Sequence, residues 1–465
     1  MFEFRGPSAP AARKPRPDTR GSDRELGLGM AAGARTASKT RVASVTRGSA
    51  LPLGLGGRRT LPLATARARL QPPGDSTIRR MPPEASCPID PAALAPAVWE
   101  FAGLMLTYRC SARCAFCYVH GGPAAGGGEM TVAGALALWR GLDALAAAHG
   151  RTMRIHLAGG EPCLDWPRLR AILAGARAAG LSPLEKLETN ASWAVDDAIT
   201  RARLEELAAL GVTRLVVSSD VYHQEHVPFE RVRRCVTRAR EVLGPGRVVV
   251  RWWDFFQHPQ ELRGAPAAER AAAWRASQAR HPDRLTGRAA RELGPLLPRQ
   301  PVEAFRGQRC ADAILGSRHI HIDPAGHVFP GLCAGIVLAR LALPPDSSAA
   351  PRDGGSSPAP ERAACGASPV SPGVVADVAA AWAQFAAGWH GHPVVSAVVA
   401  GGSYALYERA REYGFRAAPE GYADKCHLCT EVRTFLLERG LWPEHVGPPA
   451  AYGCADGAAV GSAPA

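Results

Sequence analysis

The chain has 465 residues, of which 46% are apolar, 6% aromatic and 21% charged, with a formal charge of +13. The apolar share suffices for a sizeable core, which excludes wholesale disorder, and the most apolar stretch, residues 394–400, is far shorter than a membrane helix needs. Of the 55 basic and 42 acidic residues, 16 and 5 fall within residues 1–80, so the rest sits near neutrality at +2 and offers no footprint for a nucleic-acid backbone.

Residues 1–95 read as a disordered, basic, Pro/Gly/Arg-rich tail. Residues 1–80 hold 18 Gly and Pro and only two aromatics, Phe2 and Phe4, which bury too little surface to offset chain entropy. No charged start followed by an apolar core marks a secretory signal, and Met81 is an alternative start. A cytoplasmic protein is expected.

From about Val98 strand and helix signals alternate. An apolar run over 101–107 is followed by a helix from the N-cap Thr131 to His149, with Ala135, Leu138, Trp139, Leu142 and Leu145 on one face. Then come a strand at 154–157, a helix at 166–179, a strand near Leu187, a helix at 196–210, a strand at 214–218, a helix at 229–243 and a strand at 248–252. This alternation predicts parallel β/α architecture with right-handed crossovers and function at the C-terminal ends of the strands. After about residue 300 it stops. Residues 320–329 read as two short strands around a Pro/Gly turn, and 344–373 hold 7 Pro, 4 Gly and 6 Ser, a flexible insertion. Helices are expected at 374–389, 403–413 and 431–439, and residues 441–465 as a frayed tail.

Twelve cysteines in a chain without a secretory signal point to metal or redox work rather than a disulfide framework. Cys110, Cys114 and Cys117 form a C-x3-C-x2-C run, and three thiolates from one loop imply a distant fourth ligand or an open position. Cys426 and Cys429 form a C-x2-C pair, and Cys310 and Cys333 bracket the two short strands. Cys163, Cys235 and Cys365 read as space-filling, buried and insertion residues.

The run Cys110-Ser-Ala-Arg-Cys114-Ala-Phe116-Cys117 resembles the signature of the radical S-adenosylmethionine (SAM) superfamily. The resemblance covers roughly residues 98–300 and extends to Gly159-Gly160-Glu161-Pro162, to Asn190 and to Ser218-Ser219-Asp220, each at the end of a predicted strand. It implies an open (β/α)6 TIM-like barrel over 96–300. Cys110, Cys114 and Cys117 would hold a 4Fe–4S cluster whose free iron chelates SAM, and one-electron cleavage would yield a 5′-deoxyadenosyl radical. Phe116 would lie beside the adenine, Gly159 and Gly160 would let backbone approach the methionine end, Glu161 would accept from its ammonium, and Ser218 would contact the ribose. Where Ala191 stands, the family more often has Gly.

Over 301–440 the four later cysteines resemble a twitch- or SPASM-like module, a small α+β unit in which Cys310, Cys333, Cys426 and Cys429 would hold one auxiliary cluster. The competing reading is a zinc knuckle built on Cys426-His427-Leu428-Cys429 with two other ligands. His223, Glu225 and His226 read as structural or substrate-lining, and Arg251 as either a partner for a carboxylate of SAM or substrate or a stacked surface residue among tryptophans. The implied activity is a radical SAM oxidoreductase that abstracts hydrogen from a peptide or protein side chain or α-carbon, with flavodoxin or ferredoxin as reducing partner and no nucleic-acid or membrane partner. A small-molecule substrate is the alternative within the class. A non-catalytic iron–sulfur electron carrier or redox sensor is the alternative outside it, and has no use for Glu161, Asn190 and Ser218.

Overall fold

The computed structural model describes residues 94–345 and 374–454. The expected tail through residue 93, the start at Met81, Cys365 with most of the insertion, and the last eleven residues lie outside the described residues.

The expected alternation is present. β1 (Phe101–Met105), α1 (Val132–Ala148), β2 (Arg154–Ala158), α2 (Trp166–Ala178), β3 (Leu184–Thr189), α3 (Asp197–Ala209), β4 (Leu215–Ser218), α4 (Val221–Gln224), α5 (Phe229–Leu243) and β5 (Val248–Arg251) follow one another along the chain. Local chemistry starts the helices where expected. Thr131 caps α1 by accepting from the Gly134 amide, and Asp165 and Asp196 cap α2 and α3 in the same way. Leu138, Trp139, Leu142 and Leu145 are the buried stripe of α1. β1 to β5 pair in parallel, in sequence order.

Four short or medium helices come next, α6 (Trp253–Gln257), α7 (Ala267–Arg280), α8 (Arg288–Glu292) and α9 (Ala311–Ile314), followed by β6 (His319–Ile322), β7 (His327–Pro330), β8 (Ala339–Leu341), β9 (Val374–Val375), α10 (Val378–Gly388), α11 (Pro393–Arg411) and α12 (Lys425–Glu438). β6 and β7 form the expected hairpin, with Ile320 opposite Pro330. That hairpin is not set apart from the main sheet. β6 lies parallel to β1, and one nine-stranded sheet runs β5-β4-β3-β2-β1-β6-β7-β8-β9. Residue 300 thus lies between strands of one continuous sheet. The result is a mixed α/β fold around a central parallel sheet flanked by helices.

Three C-terminal helices differ from expectation. α10 begins at Val378 because Val374–Val375 pairs with β8 and Asp377 caps the helix. α11 runs from Pro393 to Arg411 through a break at Gly402, whose φ of 72° no helix contains. α12 starts six residues earlier than expected, on the Asp424 cap, which places Cys426 in its first turn and Cys429 at the start of its second.

Side-chain alternation gives the parallel sheet two unlike faces. Ala102, Leu104, Ile155, Leu157, Leu187, Leu215, Val217, Ile320 and Ile322 are buried in the hydrophobic core. The other face carries Gly103, His156, Lys186, Glu188, Ser218, Arg251, His319 and His321, as the strand registers require. No described helix is long and apolar enough to cross a membrane.

Candidate functional site

The loop between β1 and α1 carries the first cysteine run, and the structure gathers its thiols. Cys110, Cys114 and Cys117 interact electrostatically with one another. Two of the sulfurs accept backbone hydrogen bonds, Cys110 from Ala112 (3.4 Å) and Cys117 from Gly121 (3.2 Å), and Asn190 Nδ2 reaches Cys110 Sγ at 3.4 Å. Burial pushes the Cys110 thiol up to about 12, with the Glu161 charge adding to it, and raises Cys114 further. Buried thiols of this kind ionise only beside a strong positive charge, which a bound metal supplies.

Arg288, unnoticed in the sequence, holds this loop from inside. Its guanidinium is buried and donates to the carbonyls of Cys114 (2.9 Å), His120 (2.8 Å) and Gly121 (2.8 Å), while its amide donates to the Cys117 carbonyl at 2.9 Å. Its only sequence signal is the preceding Gly287. A Cβ there would lie 2.4 Å from the Tyr118 carbonyl oxygen, and its φ is 57°.

The Gly-Gly-Glu-Pro turn at the end of β2 lies against the cysteine loop, and its glycines serve that contact. A Cβ on Gly160 would meet the Arg109 oxygen at 2.0 Å, and one on Gly159 would meet the Thr107 oxygen at 2.5 Å. The Gly160 and Glu161 amides donate to those same two carbonyls, Thr107 and Arg109 respectively. Glu161 is 1% exposed. Its carboxylate accepts from Thr189 Oγ1 (2.8 Å), the Asn190 amide (2.7 Å) and the Cys163 amide (3.1 Å). Through these three bonds the Glu161 carboxylate clamps the ends of β2 and β3. Asn190 in turn holds Ser111 (3.0 Å) and accepts from the Ser192 amide at 2.9 Å. Ala191 has a φ of 63°, a conformation that glycine adopts without strain.

Phe116 stacks on Tyr222 with ring centroids 4.8 Å apart and lies 6.1 Å from the Trp252 ring. Arg251 sits over both Phe116 and Trp252 and also pairs with Asp283 at 3.1 Å, so it is stacked and carboxylate-paired at once. Ser218 stands opposite Arg251 in the β4–β5 register. His223 pairs with the buried Asp220 at 2.8 Å, and Glu225 with Arg270 at 3.2 Å. Burial opposes the Asp220 charge, but His223 holds its carboxyl below the usual range. These pairings give His223 and Glu225 the structural role expected of them; the partner overlooked in the sequence is Asp220.

The four later cysteines form a second group. Cys310 precedes α9, Cys333 follows β7, Cys426 and Cys429 open α12, and each interacts electrostatically with the other three. Burial pushes Cys310 up to about 11, against the opposing pull of Lys425, and lifts Cys426 well above its ordinary value. The first turn of a helix favours thiolate there. Arg433, fully buried, donates to the Ala334 carbonyl (2.7 Å) and Tyr452 (3.0 Å) and draws Cys333 downward against burial. His427 stays out of the group, its Nδ1 accepting from the Ala423 amide. Cys163 and Cys235 are buried, as expected of packing residues.

Among the described residues, one set of three metal-ligand side chains has its donor atoms within 4.8 Å of one another, and it contains no cysteine. Tetrahedral zinc at 2.3 Å from each sulfur needs thiols ~3.8 Å apart. In neither cysteine group do three thiols come within 4.8 Å of one another.

No family model and no curated protein matches the chain. Solved structures similar to part of it include BtrN in complex with AdoMet and 2-DOIA, at 16% identity over 53% of this chain and 79% of that one, with a TM-score of 0.32. Another is anSMEcpe with bound AdoMet and a Cp18Cys peptide, at 16% identity, 33% and 42% coverage and a TM-score of 0.23. Overlaps as loose as these establish neither fold nor function.

Proposed function

We propose that the chain is a radical SAM enzyme, with Cys110, Cys114 and Cys117 holding the SAM-binding 4Fe–4S cluster. The observation that carries this reading is the gathering of three thiols at the C-terminal end of β1, with the Gly159-Gly160-Glu161-Pro162 turn packed on their loop and Asn190 hydrogen-bonded to Cys110. Such a cluster, with SAM on its open iron, supplies reductive cleavage of SAM and hydrogen abstraction from a substrate.

The chain's own residues divide the remaining work. Arg288 keeps the cysteine loop closed. Glu161 positions the ends of β2 and β3 and is proposed as the acceptor for the methionine ammonium. Phe116, stacked on the Tyr222 ring, is read as the neighbour of the adenine, and Ser218, opposite Arg251, as the ribose contact. The six parallel strands β1–β6 are read as the open barrel.

Cys310, Cys333, Cys426 and Cys429 are proposed as ligands of an auxiliary 4Fe–4S cluster, and residues 301–440 as its module. The mutual interaction of all four thiols supports that reading. The resemblance to auxiliary-cluster enzymes favours a peptide or protein substrate, with a flavodoxin- or ferredoxin-type reductant. Replacing Cys110, Cys114 and Cys117 with Ala should abolish 5′-deoxyadenosine formation from SAM and dithionite under anaerobic conditions, as followed by chromatography. Undiminished nucleoside from the triple variant would sink the assignment.

A further inference from the structure

Three imidazoles meet on the polar face of the sheet, and none of them belongs to either cysteine group. β2 supplies His156, and β6 supplies His319 and His321. Between them β1 has Gly103, in register with both His156 and His321. The absence of a side chain there is what admits the rings, because a Cβ on Gly103 would lie 2.3 Å from His321 and 2.4 Å from His156 Nε2.

One ring nitrogen from each histidine lies within 4.8 Å of the other two. His156 Nε2 and His319 Nε2 are 3.1 Å apart. Two nitrogens bound at 2.0–2.1 Å to one tetrahedral ion stand ~3.3 Å apart, so this pair is already at near-ligand spacing. Two rings are also held from behind. His321 Nδ1 donates to the Gly331 carbonyl at 2.7 Å, which leaves Nε2 as its lone-pair nitrogen, now accepting from Tyr118 Oη at 3.1 Å. His156 Nδ1 is buried without a hydrogen bond and lies 3.5 Å from Glu188 Oε1. A carbonyl or carboxylate behind the ring, with Nε2 turned toward the other rings, is the arrangement that orients metal-binding histidines.

We propose that His156, His319 and His321 form a binding site for one divalent ion of the zinc class, with a fourth position open to Tyr118, water or a substrate donor atom. Imidazole nitrogens suit such ions. Lys186 is the nearest cationic side chain; its ammonium is tied to Glu188 at 2.6 Å. The site does not rest on the radical SAM reading, since its ligands and those of the clusters are different residues.

The test is zinc binding by the full chain after anaerobic reconstitution with iron and sulfide, using a chromophoric chelator as competitor and elemental analysis for stoichiometry. Wild type should bind one more zinc per chain than the His156→Ala/His319→Ala double variant, with equal iron in both. Glu188→Gln leaves all three rings in place and guards against misfolding; it should keep the stoichiometry and weaken zinc affinity about 10- to 100-fold. Equal zinc in wild type and double variant, or unchanged affinity in Glu188→Gln, would overturn the site. Iron content and SAM cleavage are read separately, so failure of the cluster assignment would leave this result standing.

Discussion

Arg288 shows how one side chain can hold a cysteine loop in one conformation. Three carbonyls of the loop converge on its guanidinium, and each is buried away from water by the packing that brings the thiols together. Replacement by Met keeps the bulk and removes every donor. Each buried carbonyl left without a partner costs ~1–3 kcal/mol, so Arg288→Met should destabilise the protein by ~3 kcal/mol or more. It should also lose the iron of the first cluster before that of the second, as read by denaturant unfolding and by iron content after desalting. Glu161 makes the complementary point. Its carboxylate was legible as important from the Gly-Gly-Glu-Pro motif, but a motif does not reveal that three internal donors already claim its oxygens.

At the scale of elements, the break in α11 is structural. Gly402 packs on the backbone ahead of Cys310: a Cβ there would lie 2.0 Å from the Gln308 oxygen, and the Cys310 amide donates to the Val398 carbonyl at 2.9 Å. Gly402→Ala would combine a left-handed φ with that clash, at a cost of ~2–4 kcal/mol. Iron retention at the second cysteine group should fall with it. The start of the same helix should be pH-sensitive. His392 caps α11 by accepting from the Val394 and Val395 amides through Nδ1, while Nε2 donates to the Val337 carbonyl. Burial, reinforced by His445, pushes its pKa down to about 3. Its folded pKa lies below the unfolded value of ~6.5, so its stabilisation is complete above pH ~6.5 and is lost as pH falls, by ~1.4 kcal/mol per unit. His392→Asn keeps a capping side chain and should reduce the acid-side slope of unfolding free energy against pH by about one proton.

On the scale of the whole molecule, one sheet connects two thiol sets contributed by separate stretches of chain. Cys110, Cys114 and Cys117 come from a single loop, whereas Cys310, Cys333, Cys426 and Cys429 come from three places and share no ligand with the first set. Reconstituted wild type should hold about eight irons per chain. Cys426→Ser/Cys429→Ser should remove about four and leave SAM cleavage chemistry loaded at the first site. Loss of all iron would mean that the sets depend on each other through the continuous sheet. One zinc and about four irons in wild type would favour the knuckle reading.

The amino-acid sequence by itself determined the periodic elements from β1 to β5, because apolar spacing, caps such as Thr131 and Asp196, and stops such as Gly150 act over a few residues. It also determined the seven cysteines and the turn at Gly159-Gly160, since cluster-type ligands and close backbone approaches need particular residues at short fixed spacing. Everything that depends on distant partners was decided only in the folded chain. β6 reads as half of a local hairpin, and nothing within it says that its other edge will pair with β1. Arg288 is an ordinary surface-type residue until the loop 170 residues before it closes around its guanidinium. The three histidines are separated by up to 165 positions, and they converge because parallel pairing on both sides of Gly103 sets them in one row of the same face. Long-range register is a property of the whole sheet's packing, and no short window of sequence contains it.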